Sequence, residues 1–346
     1  MNTSSAQKID DTASLSHTGV IDHLQAVIKS TLLPLIPAGP LSMIDFPNYA
    51  NVGDSAIWLG QIAFLTREMQ ATPSYICATS QFSAAELRAK APDGPILING
   101  GGNFGTLWRH HQKLRLDAMR AFPGRPIIQL PQSIHFDGEE AIVETADAIR
   151  QHGAFTLLVR DHKSFDFARK HFDCAVHLCP DMAFYIGATQ PHRPKDNFLF
   201  LMRSDKEKVD AAAIASIPEG GDVTDWLKES RRRLRILRWM GHLKGIMRGD
   251  NGMVSAYNAL ALNRYWRGVE ILSRGRVVIT DRLHAHIMST LLDIPHVALD
   301  NSYGKVGGFI EAWTKPYVGL RRATTIDEAL TAGRALLATA PQCAAR

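Results

Sequence analysis

The sequence predicts an α/β protein with two domains, each built around a doubly wound parallel sheet. The chain has 346 residues, which is longer than a single hydrophobic core usually grows. Short apolar and β-branched runs alternate with helix-like patterns along its length, as they do in βαβ units. Several of these runs end in charged or glycine-rich segments, and parallel sheets bind ligands at the carboxyl ends of their strands.

The first half of the chain follows a polar lead-in at residues 1–20, which we expect to be disordered. An amphipathic helix is predicted at 21–33, before a proline-rich break. Strands are predicted at 41–46, 75–78, 95–99, 126–130, 155–159 and 175–178. Helices are predicted from Asp54 or Ser55 to Met69, and at 83–91, 139–152 and 164–172. The glycines after Asn99 and the segment 131–133 are predicted to be loops.

A polar stretch with two prolines at 190–196 is the predicted linker, so the expected domains are 21–190 and 191–340. The second half contains predicted strands at 198–202, 276–280 and 296–299. It also contains predicted helices at 256–274, from Leu283 onward and at 325–339. A basic helix at 227–248 is assigned to this second domain.

Composition excludes several classes of protein. No apolar run approaches the roughly 18 to 20 residues that span a bilayer, and the N-terminus lacks the pattern of a secretory signal. The four cysteines are scattered without CxxC spacing, which disfavours a zinc site or a disulfide framework. We therefore expect a cytoplasmic protein without a bound metal.

Charged side chains follow three of the predicted strands. Asp54 lies beyond the first strand, Arg160 beyond the fifth, and Arg282 and His284 beyond the strand that ends at Thr280. A guanidinium is planar and permanently charged, and it suits phosphate and carboxylate groups. A histidine can act as a general acid or base near neutral pH, and we favour His284 because it lies next to the strand end. An anionic substrate is therefore predicted.

Simpler explanations stay open at some of these positions. Asp54 can serve as the N-cap of the helix that follows it, and an arginine such as Arg160 can form a surface ion pair. His286 does not share a helix face with His284, so we expect it to be packed or hydrogen-bonded rather than to bind a metal.

Three consecutive glycines, Gly100, Gly101 and Gly102, follow a predicted buried strand. Glycines allow close approach of a ligand to the backbone and leave N–H groups directed at it. The spacing matches neither the dinucleotide-binding fingerprint nor a P-loop.

The basic segment 228–248 contains a tryptophan and apolar residues among its arginines. Such a helix can lie on an anionic membrane surface, or it can be a solvated helix that packs on its domain. Nucleic acid is the least favoured partner, because no recognition motif accompanies the charge.

Five short motifs, taken in order, resemble those of the polysaccharide pyruvyltransferase family. They are Asn51-Val52-Gly53-Asp54, Gly100-Gly101-Gly102-Asn103-Phe104, Val159-Arg160-Asp161 with Ser164, Pro180-Asp181, and Thr280-Asp281-Arg282-Leu283-His284-Ala285. The segment 300–305 fits the family's closing motif. Each motif is weak alone, and the order and spacing make the resemblance specific.

The resemblance implies two Rossmann-like domains that face each other across a cleft, in a glycosyltransferase-B-like arrangement. It implies phosphoenolpyruvate as the donor and a pyruvate ketal across two sugar hydroxyls as the product. The family's functional acid, arginine and Arg-Leu-His group fall on Asp54, Arg160, Arg282 and His284. The expected substrate-binding residues are Arg160, Arg282, Asn51, Gly100, Gly101, Gly102, Asn103, Asp281 and Asn301.

In the scheme that the resemblance implies, Arg160 and Arg282 hold the donor, and Asp54 and His284 share the proton transfers. Which of the two is the acid is left open. No cofactor or metal is expected. The acceptor is expected to be a lipid-linked sugar at the inner face of the plasma membrane, which the basic segment would contact. A nucleotide-sugar glycosyltransferase and a non-catalytic protein that binds anionic glycans are the alternatives.

Overall fold

The computed structural model describes residues 14–202, 222–224, 226–227, 229–247, 251–300 and 304–339. Within this part the chain divides into two compact units. Unit 1 comprises residues 24–186 and 229–264, and unit 2 comprises 14–23, 187–228 and 265–339. Most of the predicted lead-in and Asn301 lie outside the described residues.

Unit 1 is built on a seven-stranded sheet in which every described pairing is parallel. Its strands are β1 (Ser42–Phe46), β2 (Tyr75–Ala78), β3 (Ile96–Ile98), β4 (Gly101–Gly105), β5 (Ile127–His135), β6 (Phe155–Val159) and β7 (Ala175–Leu178). The order is β2-β1-β3-β5-β6-β7, and β4 pairs with the second half of β5. The carboxyl ends of these strands therefore share one edge of the sheet.

Helices surround this sheet. They are α1 (His17–Leu32, with its first residues in unit 2), α2 (Val52–Met69), α3 (Ala84–Lys90), α4 (Arg109–Ala121), α5 (Glu139–His152), α6 (His162–His171), α7 (Arg231–Met247) and α8 (Gly252–Leu272, with its last residues in unit 2). α2 packs closely on a short 3-10 helix at Met182–Ile186. Gly60 makes this approach feasible, because a β-carbon there would lie 1.8 Å from the Met182 carbonyl oxygen.

Unit 2 is built on a five-stranded sheet, again parallel in every described pairing. Its strands are β8 (Asp196–Leu201), β9 (Asp222–Thr224), β10 (Gly275–Thr280), β11 (His296–Leu299) and β12 (Leu320–Ala323), in the order β12-β11-β10-β8-β9. Its helices are α9 (Leu283–Leu291), α10 (Lys305–Phe309) and α11 (Ile326–Thr339), with a π-helical turn at Ile310–Thr314. β10 is the central strand and is almost entirely buried.

The predicted α/β class with parallel sheets is confirmed, and several local predictions are wrong. α1 begins at His17, inside the expected disordered lead-in, where the Ser16 hydroxyl accepts a hydrogen bond from the Gly19 N–H at 3.2 Å. α4 was not predicted at all. Two predicted loops, at the triple glycine and at 131–133, are largely strand, because β4 and β5 continue the ladder beyond the apolar runs.

The basic segment groups with unit 1, although the sequence pattern placed it in the second domain. Side chains of α8 attach this region to β1 and its neighbours. Tyr257 stacks on Phe46 with ring centroids 4.0 Å apart, and the Arg264 guanidinium donates to the Pro47 carbonyl at 3.0 Å. Such contacts between distant parts of the chain leave no periodic signal in the sequence.

Candidate active site

The carboxyl edge of the unit 1 sheet begins at the entry to α2. Asn51 is the N-cap of this helix, since its side-chain oxygen accepts a hydrogen bond from the Gly53 N–H at 3.0 Å. Asp54 lies in the first helical turn and is not the cap. Among the described residues no lysine, arginine or histidine forms an ion pair with its half-buried carboxylate. The capping explanation for Asp54 is therefore excluded, and Asn51 has a structural role in addition to the ligand role expected for it.

Tyr49 is a hydrogen-bonding neighbour of Asp54. The residue is 37% exposed, and many protein atoms surround the phenol end. This burial raises the pKa of the Tyr49 phenol well above its ordinary value, and the charge of Asp54 and a hydrogen bond to it act in the same direction. The phenol therefore stays protonated and donates toward Asp54.

The glycine segment lies beside Asp54. Gly101 has a φ of +136°, and a β-carbon on it would lie 3.6 Å from Asp54 Oδ1. A β-carbon on Gly100 would lie 2.8 Å from the Pro131 carbonyl oxygen. Gly100 is therefore required because a side chain would not fit there, and Gly101 is required because its backbone conformation disfavours other residues. Gly102 is half-buried on β4.

Asn103 is held by a buried polar network. Its carboxamide oxygen accepts hydrogen bonds from Arg115 and, at 2.9 Å, from Gln132. The backbone N–H of Asn103 donates to Gln132 Oε1 at 3.0 Å. The side-chain amide nitrogen of Asn103 makes no hydrogen bond within the described residues. It is therefore a fixed donor at the sheet edge.

Arg115 anchors this network although sequence reasoning missed it. The side chain is fully buried, donates to Gln129 Oε1 at 2.6 Å and to the Asn103 carbonyl at 3.0 Å, and lies 4.9 Å from the Phe104 ring centre. Burial lowers its pKa to about 10, so it remains charged near neutral pH. Its hydrogen-bond partners are neutral oxygens of Gln129 and Asn103, and the nearby charge that favours its protonated form is that of Asp45.

Arg160 follows β6 and is buried in an ion pair. One of its terminal nitrogens contacts Asp181, and Nε donates to the Ser133 hydroxyl at 3.0 Å. Ser133 in turn donates to Asp161 Oδ2 at 2.7 Å, and Asp161 caps α6. Arg160 is 3% exposed. The surface ion pair considered for it is wrong, because the pair is internal and part of a network.

A second pair at this edge was also missed from sequence. Asp45 and His111 are both buried, and His111 Nδ1 lies 2.7 and 2.9 Å from the two Asp45 carboxylate oxygens. Asp45 has a φ of +72°, in a bulge of β1 between Ile44 and Phe46. This conformation costs a non-glycine residue about 1–3 kcal/mol. An acidic residue inside an apolar strand was the signal that could have identified it.

Unit 2 presents its own charged edge at the end of β10. Arg282 is the N-terminal flanking residue of α9, and its N–H donates to Thr280 Oγ1 at 3.1 Å. The Arg282 guanidinium carbon lies 5.9 Å from the ring centre of Trp226, within cation–π range. Asp281 and Arg282 are buried, and His284 is half-buried in the first turn. The predicted strand, loop and helix start are all observed.

His286 is buried and hydrogen-bonded on both ring nitrogens. It lies in a buried chain in which His286 Nδ1 is 2.7 Å from His296 Nε2, and His286 Nε2 is 2.8 Å from Thr314 Oγ1. Burial lowers the pKa of both histidines, that of His296 to about 4. The expectation that His286 is packed and hydrogen-bonded is confirmed.

In the described ranges no three histidine, cysteine, aspartate or glutamate side chains converge as a metal site. No helix in the same ranges is long and apolar enough to cross a bilayer.

Comparison with known proteins identifies the family. The sequence model described as polysaccharide pyruvyl transferase matches residues 51–303. The chain belongs to this family. The predicted resemblance is thereby confirmed, and the protein is a transferase.

Relatives carry related names. The chain is 31% identical over 290 residues to Pyruvyl transferase 1 of Schizosaccharomyces pombe, covering 79% of this chain and 69% of that protein. It is 30% identical over 290 residues to Putative pyruvyl transferase EpsO of Bacillus subtilis, covering 82% of this chain and 88% of that protein. A crystal structure of a functionally uncharacterised Klebsiella pneumoniae protein is similar with a TM-score of 0.53 and 18% identity, over 87% of this chain and 99% of that one. The last similarity concerns the fold alone.

Proposed function

We propose that this transferase moves a pyruvyl group from phosphoenolpyruvate to two hydroxyls of a sugar in an exopolysaccharide or other cell-surface polysaccharide. The product is a pyruvate ketal, and inorganic phosphate is released. The observation that carries the proposal is the segment from Asp281 to His284, which places an arginine and a histidine at the end of the central strand β10. Membership in the family supports the same reaction class.

Donor binding is assigned to Arg282 and Arg160. A guanidinium binds phosphate or carboxylate through two parallel hydrogen bonds. Asp181 and Ser133 hold Arg160 in position. The side-chain amide of Asn103 is a further donor, and Gly100, Gly101 and Gly102 are assigned to substrate binding through their backbone N–H groups. Asp281 and Asn301 are assigned to substrate binding with them, and no cofactor takes part.

The reaction requires four proton transfers, two from hydroxyls, one to carbon and one to phosphate. The donor methylene gains a proton, which makes the adjacent carbon electrophilic, and the first sugar hydroxyl adds to that carbon as it loses its own proton. The carbon–oxygen bond to phosphate then breaks, and the second hydroxyl attacks and loses a proton. Of the two hydroxyl protons, one ends on the methyl group and the other on phosphate. His284 and Asp54 are assigned to these transfers as acid and base.

A direct assay tests the proposal. The protein is incubated with phosphoenolpyruvate and candidate oligosaccharides, and mass spectrometry records the pyruvate adduct together with released phosphate. We expect an adduct that depends on phosphoenolpyruvate, and its loss in Arg282→Ala and His284→Ala variants that keep their circular dichroism spectra. Saturable binding of UDP-sugars without binding of phosphoenolpyruvate would favour a glycosyltransferase and refute the proposal. The glycosyltransferase-B-like arrangement implied by the resemblance stays a prediction.

The exposed face of α7 supports a lipid-linked acceptor. Gly241 and Gly245 pack α7 on α8, since β-carbons there would lie 2.9 Å from Ala256 Cα and 2.8 Å from Gly252 Cα. Apolar side chains at helical spacing are exposed on α7, and Trp239 and Met247 are 66% and 78% exposed. The exposed apolar residues of α7 are Ile236, Trp239, Met240, Leu243, Ile246 and Met247.

The basic residues beside these apolar side chains indicate an anionic partner. Arg232, Arg233, Arg235 and Lys244 are exposed on the same helix, and residues 230–249 contain no acidic residue. Basic and apolar groups together suit the headgroup region of an anionic bilayer. The proposal therefore places α7 on an anionic membrane surface, where a lipid-linked sugar is presented.

Vesicle binding tests the membrane contact. Each basic residue near an anionic surface contributes about 1 kcal/mol, so glutamine at Arg232, Arg233 and Arg235 should weaken binding to phosphatidylserine vesicles roughly 100-fold. Activity on a soluble acceptor should not change. The matched control replaces Arg120, Arg150 and Arg169, which are exposed on α4, α5 and α6. Equal losses in both variants, or lipid-free dimerisation that requires Trp239, would refute the contact.

A further inference from the structure

The proposed reaction uses more proton transfers than it has assigned groups. Two hydroxyl oxygens, one carbon and the phosphate exchange protons, while only Asp54 and His284 have been assigned. Each of these two groups would have to act twice. A third group at the carboxyl edge of the unit 1 sheet would remove that requirement, and the sheet edge contains such a group.

His111 is oriented for proton transfer. The Asp45 carboxylate accepts a hydrogen bond from His111 Nδ1, and the Thr79 hydroxyl donates to the same carboxylate at 2.6 Å. A carboxylate on Nδ1 sets the tautomer in which Nε2 accepts a proton. Within the described residues His111 Nε2 makes no hydrogen bond, and it is not among the fully buried polar atoms. An aspartate–histidine pair with an available Nε2 is the arrangement used by general bases.

The pair lies near Asp54, with Tyr49 between them. The Tyr49 ring meets the His111 ring edge-on with centroids 6.1 Å apart, and the Tyr49 hydroxyl interacts with Asp54. Tyr49 thus contacts both His111 and the carboxylate that the proposed function places on the acceptor.

We propose that His111, oriented by Asp45, is the base for one of the two acceptor hydroxyls. This inference rests on the proposed function. His111 Nε2 takes the proton of the first hydroxyl as that oxygen bonds to the central carbon of the donor, and the proton is then passed to the departing phosphate. Asp45 is a positioning residue, since it acts through His111.

The bulge at Asp45 is consistent with such a role. A register shift between Ile44 and Phe46, and the positive φ of Asp45, turn this carboxylate out of the regular alternation of β1. Residues held in sparsely populated backbone conformations cluster at active sites.

Two substitutions at His111 separate a catalytic role from a structural one. In His111→Asn the side-chain amide can still donate to Asp45 from the place of Nδ1, but nothing replaces Nε2. In His111→Gln the amide can reach the place of Nε2, but it cannot accept a proton. A purely structural hydrogen bond to Asp45 would be preserved by asparagine.

We expect both variants to lower kcat for adduct formation by roughly 100- to 10,000-fold, the usual contribution of a general base. The KM for phosphoenolpyruvate should stay within about twofold, because His111 is not assigned to the donor. Asp45→Asn should lower kcat in the same way and should also leave that KM unchanged, a split that general destabilisation would not produce.

The matched control is His152→Gln. His152 is buried on α5, and its ring nitrogens lie within hydrogen-bonding distance of the backbone carbonyls of Met119 and Arg125. We expect this variant to lose thermal stability and to keep its kcat. Adduct formation by His111→Asn within threefold of the unaltered chain would refute the role of His111.

If a His111 variant does not fold, Asp45→Asn and Thr79→Val provide the measurement, since Thr79→Val removes one donor to Asp45 and leaves His111 intact. Unchanged kcat in folded Asp45→Asn would overturn the inference. Failure of the unaltered chain to form any adduct would refute the proposed function itself, so the two failures are distinguishable.

Discussion

The buried pair of His286 and His296 should make unit 2 sensitive to acid. His296 Nδ1 donates to the Ile294 carbonyl at 2.9 Å, so in the neutral ring Nε2 accepts from His286 Nδ1. The neutral His286 then accepts from the Thr314 hydroxyl. Each nitrogen has a partner when both rings are uncharged. A proton on either ring would place a charge in a fully buried site.

The magnitude follows from the pKa of His296. Burial lowers it from 6.5 to about 4, whereas the unfolded chain keeps the ordinary value. Between these values the unfolded state binds more protons, so the free energy of unfolding falls as the pH is lowered through this range. At about 1.4 kcal/mol per pH unit, the loss approaches roughly 3 kcal/mol near pH 4. The pKa of His286 is lowered as well and adds in the same direction. Above pH 6.5 the pair has no effect.

Amide hydrogen exchange measures this locally. Peptides from α9 and β11 should lose protection between pH 6.5 and 4.5 after correction for intrinsic exchange. A His286→Gln and His296→Asn double variant should show a flatter dependence, because neither replacement titrates. The asparagine can still donate to the Ile294 carbonyl. Protection that is independent of pH in the unaltered chain, or an equal slope in the double variant, would refute the reasoning.

Two further predictions concern unit 1. Gly60→Ala should lower the free energy of unfolding, measured by urea titration, by about 1–3 kcal/mol or more, because the new β-carbon would overlap the Met182 carbonyl. The control Gly19→Ala should change it little, since the nearest atom to a β-carbon there lies at 3.4 Å. An equal effect of the two substitutions would contradict the packing of α2. Arg115→Met should reduce adduct formation at least tenfold without loss of helix content by circular dichroism, since Asn103 would lose two hydrogen bonds from this side chain. Full activity in that variant would show that Asn103 need not be fixed by Arg115.

The sequence alone determined the alternation of strands and helices and the charged end of β10. Apolar periodicity reports which residues face a core, and it identified β1, β3, β6 and β10 within a few residues. Local chemistry also predicted Arg282 and His284 at the carboxyl end of a buried strand and His286 as a packed residue. The order and spacing of short motifs led to the family.

Tertiary structure decided which side chains are partners. His111 and Asp45 are separated by 66 residues, and Arg160 and Asp181 by 21. Such pairs depend on how the strands are ordered in the sheet, and periodicity does not encode that order. The same reason explains why the segment from Gly101 to Gly105 is a strand: its hydrogen-bond partner is β5, which lies elsewhere in the chain. The segment that ends in His284 could be predicted from sequence because its strand, turn and helix are contiguous. The residues around Asp54 come from distant parts of the chain, so only the folded structure shows them together.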